Sequence, residues 1–137
     1  MEFDGEKTVN YWLEGAEYDL GVAEAMFQTT KYPYALFMGH LALEKLLKAM
    51  WVKNRKAHAP ITHSLPFLAE GCGTAIPPNT IIKLREFMEF YFETRYPEAQ
   101  KAFYRKCTKK YTKERLTEIK EIFQWLKNQL LKKSRNL

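Results

Sequence analysis

Apolar residues recur at intervals of three and four along almost the whole chain, and nowhere do they alternate with period two over a useful length. Helices place residues three and four apart on one face, whereas strands alternate faces, so this spacing predicts helices and no sheet. Trp12, Ala16, Leu20, Ala23 and Phe27 form the first stripe, which predicts a helix over about 8–28 with Thr8 as N-cap. Lys31-Tyr32-Pro33 interrupts it. A second helix, about 34–54, carries two adjoining stripes: Leu36, His40, Leu43, Leu47 and Met50, then Phe37, Leu41, Glu44 and Lys48. That much apolar surface predicts burial on most sides.

Thr62-His63-Ser64 reads as a cap, with Pro66 suited to a first helical turn and Gly71-Cys72-Gly73 closing a short helix. Pro77-Pro78 opens a third long helix with Ile81, Leu84, Met88, Tyr91 and Phe92 on its stripe, Arg95 a heptad beyond Met88, and Pro97 as its stop. The basic stretch 98–111 is read as partly helical. Thr112 is read as the cap of a last helix bearing Leu116, Ile119, Phe123, Leu126 and Leu130, and the charged tail 132–135 is expected to fray. The expectation is therefore all-α: an antiparallel up-and-down four-helix bundle with an additional short helix. Its 137 residues fit a single domain, 1–137, with an ordered core of about 8–131.

No stretch approaches the ~20 apolar residues of a membrane span, and the acidic start Met-Glu-Phe-Asp-Gly-Glu lacks the apolar run of a signal peptide. A cytoplasmic chain that meets no membrane is expected. Cys72 and Cys107 are widely separated and have no companion at metal-ligand spacing, so reduced thiols are expected, with no metal and no cofactor. The net charge is +6 and favours an anionic partner.

Several residue patterns resemble one family. His40-Leu41-Ala42-Leu43-Glu44-Lys45-Leu46-Leu47-Lys48-Ala49 resembles its "(H/Q)-x-A-x-E-K-x-x-K-A" segment. Thr62-His63-Ser64-Leu65 resembles the following "T-H-(D/S)-L", Thr94-Arg95-Tyr96-Pro97 resembles "(T/S)-R-Y-P", and Asp19-Leu20 with Ala23 fits its first helix. The family is HEPN, the higher eukaryotes and prokaryotes nucleotide-binding domain. The resemblance implies a compact helical bundle that often forms homodimers, takes part in nucleotide binding or RNA cleavage, and is often paired with a minimal nucleotidyltransferase in toxin–antitoxin modules. The family's active ribonucleases carry an arginine, four to six residues, then a histidine. Here the histidines are 40, 58 and 63, and Arg55, which alone among the arginines precedes any of them, stands too close to His58 and too far from His63. The ribonuclease signature is absent.

Read from chemistry alone, several residues are site candidates. His40 and Glu44, four apart, suit an acid–base pair or a packing hydrogen bond. Lys48 can pair with Glu44 or, with Lys45, offer charge to a phosphate. His63 can titrate near neutrality or satisfy backbone in the cap with Thr62. Arg95 can hold a carboxylate, a helix end or a phosphate, and Tyr96 can stack on a base. The ligand-binding set is thus Glu44, Lys45, Lys48, Thr62, His63, Arg95 and Tyr96; Arg95, His63 and His40 are the catalytic candidates of a diverged ribonuclease. Between positions 101 and 115 stand seven basic residues and Glu114, interleaved with Phe103, Tyr104 and Tyr111. Lys101, Arg105, Lys106, Lys109, Lys110 and Lys113 there suit a nucleic-acid backbone, or are a solvated connection whose aromatics fold onto the core. Trp12, Trp51 and Trp125 read as core or dimer anchors.

Three functions follow: a dimeric nucleotide- or RNA-binding module acting with a nucleotidyltransferase, a diverged metal-independent ribonuclease, and a structural adaptor for protein contacts.

Overall fold

The computed structural model describes residues 2–132. Among them are seven helical segments and no strand: α1 (Gly5–Gln28), α2 (Tyr32–Arg55), α3 (Leu65–Gly71), α4 (Pro78–Glu86), α5 (Met88–Arg95), α6 (Pro97–Lys106) and α7 (Lys109–Leu131). They build the all-α bundle that the periodicity implies. α1, α2, the α4–α5 rod and α7 are its long members, and α3 is the additional short helix.

Helix α2 is central, touching α1, α3, α5, α6 and α7. Leu36, Leu43, Leu46, Leu47 and Met50 on α2 are buried, each contributing roughly 1.5–3 kcal/mol of apolar transfer energy. Leu84, Phe87, Phe90, Phe103, Ile119 and Leu126 close the same core from the other elements. Trp12, Trp51 and Trp125 are partly buried against it.

Several boundaries differ from the sequence reading. The first helix begins at Gly5, because Asp4 Oδ1 accepts from Lys7 N at 3.0 Å; Thr8 is already inside and bonds back to Asp4 O. Pro33 belongs to the first turn of α2, where a missing N–H costs nothing. The third long helix is interrupted at Phe87, where Phe90 N bonds to Phe87 O three residues back. Pro97 ends α5 but starts α6, so most of 98–111 is helical. The last helix is capped by Thr108, whose Oγ1 accepts from Tyr111 N at 3.1 Å, while Thr112 is buried within the helix. The charged tail from 133 onward lies outside the described residues, and Lys132 is the C-cap of α7.

The contact between α2 and α3 holds the loop that follows α2. The Trp51 ring is stacked on Phe67 (centroids 6.0 Å apart) and covered by the Arg55 guanidinium at 4.6 Å. Gly71 lies against it so closely that a Cβ would stand 2.7 Å from Trp51 Cη2 and nearer still to Cζ3. To make room the ring must shift against Phe67 and Arg55. Gly71→Ala is therefore expected to destabilise by about 1–3 kcal/mol, despite alanine's better helix propensity, and urea unfolding measures this. An unchanged midpoint would show the α2–α3 contact to be loose.

Candidate functional site

The α2 ladder His40, Glu44, Lys48 advances by four residues, which stacks the three side chains on one face. All three are buried, so their polar groups need partners. Lys48 Nζ donates to Glu44 Oε2 at 3.1 Å and stands 5.1 Å from the centre of the Trp12 ring on α1. The turn before α3 brings in the third partner. Ser64 Oγ accepts from Phe67 N at 3.2 Å as the N-cap, and Thr62 Oγ1 accepts from Ser64 N at 3.1 Å. These two bonds fix the turn so that His63 Nδ1 meets Glu44 Oε1 at 3.0 Å.

The hydrogen-bond pattern assigns the imidazole protons. His40 Nε2 lies 3.1 Å from His63 O, and a carbonyl only accepts, so Nε2 carries the hydrogen. His40 Nδ1 is buried without a partner, which suits a bare lone pair far better than a second N–H. His63 donates from Nδ1 to the carboxylate. Its Nε2 is left free on a side chain that is 52% exposed. Burial pushes the Glu44 carboxyl up, but hydrogen bonds from His40 and His63 and the charge of Lys48 outweigh it, holding Glu44 below the usual carboxylate range.

Tyr91 of α5 joins this cluster to the α5 C-terminus. Its buried ring stacks on His63 (centroids 4.6 Å, 23°), His40 (5.1 Å, 30°) and Phe37 (5.9 Å, 19°). One turn later Arg95 places its guanidinium carbon 4.8 Å from the Tyr91 ring centre and donates to the phenol oxygen. Arg95 is otherwise exposed, and no carboxylate pairs with it among the described residues. The result is an exposed guanidinium and an exposed imidazole edge fixed on either side of one tyrosine, with a buried carboxylate behind. Chemically, that arrangement offers donors to an anion and one oriented imidazole nitrogen.

Not every candidate converges here. Lys45 turns away to Asp19 on α1, at 2.8 Å. Tyr96 is exposed in the α5–α6 junction, and Thr62 braces the turn. Two residues outside the sequence-derived set, Tyr91 and Trp12, make cluster contacts; the i, i+4 relation of Tyr91 to Arg95 is the one local signal for the former.

In the α6–α7 corner, Lys101, Arg105, Lys109, Lys110 and Lys113 are exposed, and no ion pair engages them among the described residues. Lys106 differs: Glu89 holds it at 2.7 Å and raises its pKa. Phe103 is fully buried and Tyr111 half-buried, so of the three aromatics Tyr104 retains the largest exposure, at 38%.

Among the described residues no group of three or more metal-binding side chains gathers, and no helix is long and apolar enough to cross a membrane. Cys72 and Cys107 are free and buried; burial raises both, Cys107 to about 12.

The family model described as the HEPN domain matches residues 9–129. Among solved structures, the crystal structure of TT1696 from Thermus thermophilus is similar, with a TM-score of 0.75 over 88% of this chain and 96% of that one. The two are 22% identical, a likeness of fold. No curated protein matches the sequence.

Proposed function

The chain belongs to the HEPN domain family, and we propose that it is a nucleotide- or RNA-binding module, working as a cytoplasmic homodimer beside a minimal nucleotidyltransferase in a toxin–antitoxin-like pair. One observation carries the binding part: Arg95, held by the Tyr91 hydroxyl, presents exposed guanidinium donors on one side of that ring, and His63, held by Glu44, presents an oriented Nε2 on the other. Preorganised donors bind a phosphate without first losing side-chain freedom. Of the other candidates, Tyr96 is exposed for stacking, Thr62 holds the turn and Lys45 is engaged by Asp19. Homodimer, single-domain extent and nucleotidyltransferase partner rest on family kinship; the reading frame beside this one tests the last.

Arg95→Ala is expected to weaken binding of ATP or a short single-stranded RNA about tenfold or more, since a charge-assisted hydrogen bond is worth roughly 1.5–3 kcal/mol. Calorimetric titration measures it. Equal affinity for parent and variant would remove this site from the proposal.

A second reading, a diverged metal-independent ribonuclease, draws on the Glu44–His63 pair. A carboxylate on Nδ1 leaves Nε2 as the basic nitrogen, the orientation a general base needs. Purified protein that leaves RNA intact without metal, whether or not Arg95 and His63 are replaced, would remove this reading.

A further inference from the structure

Helices α1 and α7 both pack along α2, yet they approach each other far less closely than either approaches α2. The seam between them is a row of three hollows, of about 320, 440 and 590 Å³. Phe27 and Leu116 lie in the first, Leu20 and Phe123 in the second, Leu13 and Leu130 in the third. Above Gly21, midway, a Cβ would meet nothing within 4 Å. The rims carry opposite charge. On α1 stand Glu17 and Glu24; on α7 stand Lys113, Lys120 and Lys127, each a heptad from the next. Within the chain Lys127 reaches Glu17 at 2.7 Å and Lys120 reaches Glu24, but all four side chains are 31–44% exposed.

We propose that this seam is where a second copy of the chain docks. A nucleic acid would meet the glutamate rim and be repelled, and a partner of uniform charge would match one rim and oppose the other. A second copy turned by a two-fold axis lying along the seam matches both. Glu17 then stands opposite Lys127 of the second copy and Glu24 opposite its Lys120, and each contact occurs twice. Two helices of this length, each about 35 Å long and about 10 Å across, present side by side a footprint of roughly 700 Å² per copy, close to the ~800 Å² of a standard interface. The proposal rests on the homodimer of the reading above but not on its anionic ligand, and its test contains no ligand.

The test is a chain with all four signs reversed: Glu17→Lys, Glu24→Lys, Lys120→Glu and Lys127→Glu. Both internal pairs survive with reversed polarity, and so does the complementarity between two reversed copies. Between one reversed and one parent copy, like charge faces like. In native mass spectrometry of an exchanged mixture, parent and reversed chains should each form homodimers. Mixed dimers should fall about tenfold or more below statistical mixing. Statistical mixing, or a monomeric parent chain, overturns the proposal. If the reversed chain does not fold, Gly21→Gln decides instead: its side chain enters open space in the monomer but blocks the seam. Dimerisation weakened about tenfold or more supports the proposal, and an unchanged dimer refutes it.

Discussion

Replacing Glu44 by leucine is expected to destabilise the fold by about 3–5 kcal/mol at neutral pH, the cost of leaving a buried charge without its partner. The carboxylate accepts from Lys48 on one oxygen and from His63 on the other. Without it the Lys48 ammonium is buried beside the Trp12 ring with no counter-charge, and His63 loses the bond that docks the 62–64 turn onto α2. The double variant Glu44→Leu, Lys48→Met should recover much of the loss, because removing both members of a buried pair costs far less than removing one. The pH dependence has a definite sign. Glu44 ionises more readily folded than unfolded, so its contribution is full above the unfolded value of about 4.3 and disappears as pH falls through the lower folded value. The stability difference between parent and Glu44→Leu, read by urea unfolding, should therefore shrink as pH falls below about 4. A loss below about 1 kcal/mol at pH 7 would mean that Lys48 simply turns to solvent when freed.

The largest functional effect is expected from salt. If the five unengaged cations of the α6–α7 corner contact phosphates, single-strand RNA affinity should fall about 100-fold between 50 and 200 mM salt, from a log–log slope of about 3.5. Replacing Lys109, Lys110 and Lys113 by glutamine should lower that slope by about 2. Lys106→Gln should change it less, because Glu89 already neutralises that ammonium. Fluorescence anisotropy with a short labelled RNA supplies both slopes. A slope near zero, or one that ignores the triple replacement, would leave the corner as an ordinary solvated surface and favour an adaptor role.

What the sequence revealed, and what it hid, divides along physical lines. The helices and the α2 ladder were legible because both depend on i, i+4 spacing, which is local. So was a cap within Thr62-His63-Ser64, since a hydroxyl before an apolar run can satisfy orphan N–H groups without help from the rest of the fold; that Ser64 and not Thr62 is the capping residue was not. The cap of the last helix, read as Thr112, is instead Thr108. Each is a threonine before the run that begins at Leu116, and the apolar stripe does not mark where the helix starts. The interruption at Phe87 was invisible for a related reason. Its backbone, at φ −68° and ψ −12°, stays so near helical that the stripe continues across it. Tyr91 escaped as a site residue because its stacking on His40 and His63 joins α5 to α2 and to the turn after it, and pairings between elements leave no mark in local spacing. Lys45 shows the converse. Beside Glu44 in the chain it invites grouping with the site, but one residue along a helix is about 100° around it, and it serves Asp19 on α1 instead.

The two buried thiols have a practical consequence. A thiolate, not a thiol, attacks an alkylating reagent, so neither sulfur should react while its surroundings stay closed. Cys72 follows α3, at the end opposite the turn that presents His63, and Cys107 separates α6 from α7 at the basic corner. Each is thus an inborn stopwatch for its own neighbourhood: labelling rates in native buffer would time how often either region breathes, with no probe added to the chain.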